Sequence, residues 1–391
     1  MSVAVALGMV SAASASPTDP RPTLAYYYIW FDATSWDRAK RELPLLGRYS
    51  SDERRVMRQH VQWAKQAGID GFIVSWKSSW RLNRRLERLI DVAQQENFRL
   101  ALIYQGLDFE RHPLPIARIE ADLDQFADHY ASRKPFHLFA KPLVIWSGSW
   151  RFSASEIAAV SRRLRGRVLL LASEKDVAGY RRVAPLVDGN AYYWSSVDPA
   201  RWPTYWKKLV EMGRAVHDRG GLWIAPAAPG FDARLVGGSS VVDRRNGQTY
   251  RQRLDGAVRS NPDALGIISW NEFSENTHIE PSERYGNRYL EITSDVLGAG
   301  FNSKADLDSS DTAPRAATGI RYGTPLLIGL LTLAALVGAA AIRRRRRPAA
   351  LDGERVSPEL ALVDPDLASR LGSHDDDDDG HDPLASWTRT T

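Results

Sequence analysis

The chain has 391 residues and no cysteine. That excludes disulfide staples and thiolate metal sites and leaves the compartment open. Neither sign of charge dominates. The formal net charge is +5, and much of the basic excess sits in one run, Arg343–Arg347. A nucleic-acid-binding surface is therefore not expected. No Gly-rich phosphate loop follows the first strand-like run, where Tyr28–Asp32 stands instead. That disfavours a dinucleotide fold. The apolar stretch 1–16 lacks Lys and Arg, yet it ends in Ala13-Ser14-Ala15. This is an A-x-A cleavage pattern, so the stretch reads as signal-like.

What is present points to a large core and an aromatic-rich interior. Hydrophobic residues make up 43%, with thirteen Trp and fourteen Tyr. Strand-like apolar runs alternate with amphipathic segments from Leu24 onward. The runs are Leu24–Ile29, Gly71–Trp76, Leu100–Tyr104, Leu143–Trp146, Val168–Ala172, Ala191–Trp194, Leu222–Ala225 and Leu265–Trp270. Between them, Ser50 and Glu53 form a capping-box pattern with Gly68 as the stop, and Ser153 and Glu156 repeat the pattern. A longer helix is expected over Asp198–Asp218. This alternation predicts an α/β fold, a (β/α)8 TIM-type barrel over residues 17–300, with a doubly wound open sheet as the alternative. Catalytic groups in such barrels sit where the strands end. Trp30, Trp76, Tyr104, Trp146, Ser173, Trp194 and Glu272 stand at or near those ends. Together they describe an aromatic cleft with a carboxylate cluster, suited to sugar rings.

The most informative stretch is Ser269–Gly286. A short apolar run leads directly into Asn271, Glu272, Glu275, Asn276, His278 and Glu280. Ionised carboxylates resist desolvation, so a buried strand that ends in them belongs at the mouth of a cleft. Glu272 and Glu275 would point apart on a continuing strand. If the chain turns after Trp270, they can face one space, and two carboxyls in one pocket are what glycoside cleavage needs. A solvated acidic loop is the other reading of the pair alone. Glu280 is expected outside the pocket or in a structural role, since Pro281 follows.

WNEFSENTHIEP at 270–281 resembles the WNEW-x-E-x-T-x-IE signature of glycoside hydrolase family 99, the endo-α-mannosidase family. Tyr26–Asp32 resembles that family's first strand and Ala67–Trp76 its second. Pro229–Asp232 followed by Arg244–Tyr250 resembles its PGYDD…R-x-NGxxY segment. The likeness spans about residues 24–297 in order. It implies a retaining glycosidase acting on α-linked mannan- or glucan-type glycans, with no metal or organic cofactor. It places the catalytic pair on Glu272 and Glu275. Glu272 would act as base toward the sugar's own 2-hydroxyl, and Glu275 would protonate the leaving oxygen and then activate water. The expected substrate-binding residues are Tyr27, Trp30, Trp76, Tyr193, Asp232 and Asn271. Departures occur at Tyr104-Gln105, where the mannosidases tend to have a glutamate, at Ala233 after Asp232, and at Phe273. They put the mannose preference, more than the reaction, in question. A glycosyltransferase-like enzyme of polysaccharide assembly and a non-catalytic glycan-binding barrel remain the alternatives.

Beyond the barrel, 301–324 reads as a flexible linker. Pro325–Ile342 is uncharged and apolar, and eighteen residues in a helix span about 27 Å, near the thickness of a bilayer core. Arg343–Arg347 follows at once, which predicts a cytoplasmic C-terminus and an extracellular barrel. The tail 343–391 holds an acidic run, Asp375–Asp379, and reads as disordered. His374 and His381 flank that run and are read as part of a solvated tail, with no metal. The expected partners are thus a glycan and a membrane, through one C-terminal helix.

Overall fold

The computed structural model describes residues 21–301, apart from Ala39 and Phe109. The signal-like stretch, the apolar run Pro325–Ile342 and the acidic tail lie outside the described residues. Within them, no helix is long and apolar enough to cross a membrane.

Eight parallel strands close into a barrel: β1 Thr23–Tyr28, β2 Gly71–Trp76, β3 Arg99–Gln105, β4 Leu143–Ser147, β5 Leu169–Ala172, β6 Gly189–Ala191, β7 Leu222–Ala227 and β8 Ala264–Ile267. Each pairs with its sequence neighbours, and β1 closes the ring on β8 with Thr23 opposite Leu265. Parallel strands covered on both faces must be apolar throughout, which is why these segments read as short continuous runs. The helices between them are α1 Arg54–Gln66, α2 Trp80–Gln95, α3 Ile116–His129, α4 Ala154–Leu164, α5 Val177–Val183, α6 Trp206–His217, α7 Gln248–Arg259 and α8 Arg288–Leu297. On α1, Met57, His60, Val61 and Ala64 are all buried. Their spacing puts them on one face, the one that packs on the barrel wall.

Strand pleating sorts the apolar residues into two layers. Leu24, Tyr26 and Tyr28 of β1 join the cluster inside the barrel, with Ile73, Ile103 and Ile145. Ala25 and Tyr27 belong to the larger cluster between barrel and helices.

Local expectations hold in part. Ser153 and Glu156 form a full capping box at the start of α4. Gly68 has φ of +81°, as a left-handed helix stop requires. At α1 only half a box forms. Glu53 accepts from Ser50 N–H at 2.8 Å, but the helix starts at Arg54 with Glu53 as its N-cap, and Ser50 Oγ accepts from Asp52 N–H instead. The helix expected over 198–218 is shorter, Trp206–His217. Residues 198–205 form turns on which half-buried Trp202 meets Trp194 edge-on at 5.6 Å.

Candidate active site

The chain leaves β8 and makes a short excursion before returning alongside itself. Ser269 N–H donates to Thr277 O at 2.9 Å, Ile279 N–H to Ser269 O at 2.9 Å, and Glu280 N–H to Trp270 O at 2.8 Å. These bonds clamp the base of the excursion, so residues 271–276 must turn back within a few positions. Asn276 takes a positive φ of 52°, a conformation that asparagine tolerates. Ser269 Oγ accepts from Glu272 N–H at 2.8 Å, and Asp232 N–H donates to Glu275 O at 2.8 Å. Both glutamates are thereby fixed through their backbones. The turn that the i, i+3 spacing requires is present.

Glu272 is buried and Glu275 half-buried. Burial pushes the Glu272 carboxyl above the usual carboxylate range, opposed by a hydrogen bond from Ser274 N–H at 2.9 Å and by the Lys40 ammonium. Next to them the hydroxyls of Tyr28 and Tyr193 are hydrogen-bonded at 2.8 Å. Both tyrosines are held protonated, by burial first, and Glu272 and Glu275 each act electrostatically on both. Two carboxyls and two phenols thus share one neighbourhood at the C-terminal mouth of the barrel.

Behind the mouth runs a buried polar chain. Tyr27 Oη lies 3.0 Å from His60 Nδ1, and His60 Nε2 lies 3.0 Å from Glu280 Oε1. Tyr49 Oη donates to Glu280 Oε2 at 2.9 Å and accepts from Asn271 Nδ2 at 3.3 Å. Glu280 is therefore structural. On the other side, Arg244 Nη2 donates to the carbonyls of Asn276 at 3.0 Å and His278 at 2.8 Å. Its guanidinium lies over Tyr285 and Tyr289, 4.5 and 4.3 Å from the ring centres. Among the described residues, no group of three or more His, Asp or Glu is arranged to hold a metal ion.

Residues 18–292 match the family described as Glycosyl hydrolase family 99. The chain belongs to this family. It is a glycosidase. No curated protein matches it. Among solved structures, the family 99 endo-α-mannosidase from Bacteroides thetaiotaomicron is 19% identical with a TM-score of 0.62, covering 73% of this chain and 99% of that one. The same enzyme in complex with BIS-TRIS-propane is 20% identical with a TM-score of 0.60, over 74% and 99%. A protein described as glycoside hydrolase-like is 15% identical with a TM-score of 0.57, over 74% and 97%. At such identities the structural likeness speaks to the fold.

Within this family 99 barrel, the expected site residues separate. Tyr193 stands at the mouth, and half-buried Trp30 packs on Tyr28 with ring centres 4.3 Å apart. Tyr27 and Trp76 do not reach it. Tyr27 points outward to His60 and stacks on Phe72 at 4.4 Å, and Trp76 is fully buried against Phe126 and Tyr130 with its indole N–H on Asn83. Both lie at the wrong parity along their strands, so the pleat turns them to the helices. Tyr104 and Trp146 share that fate, and the aromatic cleft is narrower than the strand ends suggest. Asp232 is near the mouth, but its carboxylate is held by Arg234 at 2.7 Å and Arg41 at 3.1 Å. Asn271 is spent on the fold: its Oδ1 accepts from Tyr28 N–H at 2.8 Å and its Nδ2 donates to Tyr28 O at 2.9 Å. Gln105, the last residue of β3, donates to Ser75 Oγ at 3.0 Å. Sequence reasoning missed Tyr28, because nothing in the run Tyr26-Tyr27-Tyr28 marks which of the three faces the barrel interior.

Proposed function

We propose that the protein is a retaining glycosidase of α-linked glycans, mannan- or glucan-type, with Glu272 and Glu275 as its catalytic pair. The reading rests chiefly on one observation. Both glutamates leave one clamped excursion at the barrel mouth and act on the same Tyr28–Tyr193 pair. Glu272 takes the proton of the sugar's 2-hydroxyl as that oxygen displaces the leaving group. Glu275 gives a proton to the leaving oxygen, then accepts one from the water that attacks C1 and opens the resulting 1,2-anhydro ring, while Glu272 returns its proton to the 2-oxygen. Tyr28 and Tyr193 are protonated at every physiological pH; one donates to the other, which leaves one phenol proton to offer a sugar or carboxylate oxygen. Trp30 offers an apolar face to a ring.

The barrel works outside the cell, tethered through Pro325–Ile342, with Arg343–Arg347 on the cytoplasmic side. Nucleotide sugars are scarce there, which favours hydrolysis over transfer from such donors. The test is a screen of the protein against α-mannans and α-glucans with reducing-end detection. It is repeated with Glu272→Gln and Glu275→Gln, which keep shape and remove the ionisable group. Each should lower turnover by about 10²–10⁴-fold or more. Normal turnover by either variant would end the assignment, and glycan binding without cleavage by the unaltered protein would favour the binding-module reading.

A further inference from the structure

The first residue of α2 is a tryptophan left in water. Among the described residues, Trp80 is the most exposed of the large apolar side chains, at 63%. Single exposed apolar residues are ordinary on a protein surface. Three features set this one apart. The first is place. α2 begins four residues after β2 ends at Trp76, so Trp80 stands on the mouth side of the barrel. The second is a fixed orientation. The Arg84 guanidinium lies over the ring, 4.7 Å from its centre, and Arg84 Nη2 donates to Asp52 Oδ1 at 2.8 Å. Asp52 also accepts from Arg85 Nη2 at 2.9 Å and from Arg88 Nη1 at 2.8 Å, so the cation that backs the ring belongs to a network. The third is registration with the site. Arg81 Nη1 lies 3.4 Å from Asp32 Oδ2, and buried Arg85 Nη1 donates to Ile29 O at 3.0 Å. Ile29 and Asp32 flank Trp30. Residues 81 and 85 are one helical turn apart and share a face, with the pair 80 and 84 beside them. The Trp80 ring and Trp30 are thereby held in one frame.

We propose that Trp80 is a sugar-binding platform, taking a unit of the glycan remote from the bond that is cut. Around the closed barrel β8, β1 and β2 are consecutive neighbours. The carboxyl pair follows β8, Trp30 follows β1 and Trp80 follows β2, so the three occupy successive positions along the mouth. Arg84 covers one face of the indole and leaves the other to solvent. A sugar ring presents a flat face of C–H groups, which can stack on such a surface with loss of water from both. Because the indole is already propped, little side-chain freedom is lost on binding. The ligand this arrangement fits is a chain of several sugar units, long enough to reach from the carboxyl pair past Trp30.

Calling the bound chain a substrate rests on the hydrolase reading, but binding at Trp80 is measurable without cleavage. The full chain carrying Glu272→Gln is titrated by calorimetry with a linear α-mannan, a linear α-glucan and the disaccharide of each. One of the polymers should bind more tightly than its disaccharide. Adding Trp80→Ala should cut that preference by about two- to tenfold, and Trp80→Phe, which keeps a ring, should retain most of it. An undiminished preference in Trp80→Ala overturns the proposal. An equal loss on polymer and disaccharide would mark a structural effect and also overturn it, as would failure of both polymers to bind. If the preference falls as expected but the protein with Glu272 intact releases no reducing ends, Trp80 stands and the hydrolase reading falls. If the polymer is cleaved and the preference survives Trp80→Ala, the platform alone falls.

Discussion

Glu272 sits where burial opposes its charge. A carboxyl whose folded pKa is raised contributes stability at low pH and loses it as pH rises through the folded value. At pH 7 the ionised group is therefore a cost to the fold. Glu272→Gln should melt no lower than the unaltered protein at pH 7, with any gain shrinking toward pH 4, as read by thermal unfolding. His278 behaves in the opposite sense. Arg244 can only donate, so its 3.4 Å contact makes His278 Nδ1 the acceptor and leaves the ring proton on Nε2, toward Glu42. Burial, then Arg244, depress the imidazole to about 4. Between about pH 6.5 and 4 the unfolded chain binds a proton that the folded one refuses. Stability should fall over that window by up to about 3 kcal/mol. Urea midpoints measured from pH 7.5 to 4 should show the slope, and His278→Gln should flatten it. At this scale the sequence was legible in the turn that the spacing of Glu272 and Glu275 requires, which the structure forms. It was silent on Arg244, whose meaning depends on a contact across 32 positions.

Among the elements, the join between β1 and β8 is the one the site depends on. β8 ends at Ile267, and past it Asn271 imitates a strand by bonding both polar groups of the Tyr28 backbone. Asn271→Ala would leave a buried N–H and a buried C=O unpaired, at about 1–3 kcal/mol each. The variant should be destabilised by several kcal/mol in urea unfolding and should lose activity, because Glu272 is the next residue. Ser153→Ala, at the exposed start of α4, should cost the helix about 1 kcal/mol and leave turnover unchanged. The strands were readable as apolar runs, since a parallel sheet buries both faces. Which face each residue takes was not. In Tyr26-Tyr27-Tyr28 every residue is equally plausible for either side, and one step of register separates a cleft residue from a core one. Ala191–Trp194 likewise overran a strand that stops at Ala191, so Tyr193 comes to the mouth from a loop.

For the molecule as a whole, the regular alternation of strand and helix made the barrel legible, since few architectures accept eight such units. Its closing helix needs the residues just past it. Ala299 N–H donates to Ser294 O at 3.0 Å, Phe301 N–H donates to Ser294 Oγ at 2.7 Å, and Phe301 packs on the core. A barrel fragment kept through Phe301 should unfold in one transition, and one cut after Tyr289 should lose most of its stability, because α8 covers α1 and α7. Circular dichroism during heating separates the two. If the barrel is extracellular as proposed, protease added to intact cells should remove it and spare the acidic tail. Protection of the barrel would reverse that orientation.

Tyr28 and Asn271 are bonded across 243 positions of chain. A ribosome adding about 5–20 residues per second needs roughly 12–50 s to supply the second partner after the first. Throughout that interval β1 has one open edge, and residues 42–45 lack their partners in 281–284. The nascent chain can build its early strand–helix units in order, but the two carboxyls arrive last, together with the lock that seats them. Hydrolytic competence is thus withheld until nearly the entire barrel has left the exit tunnel.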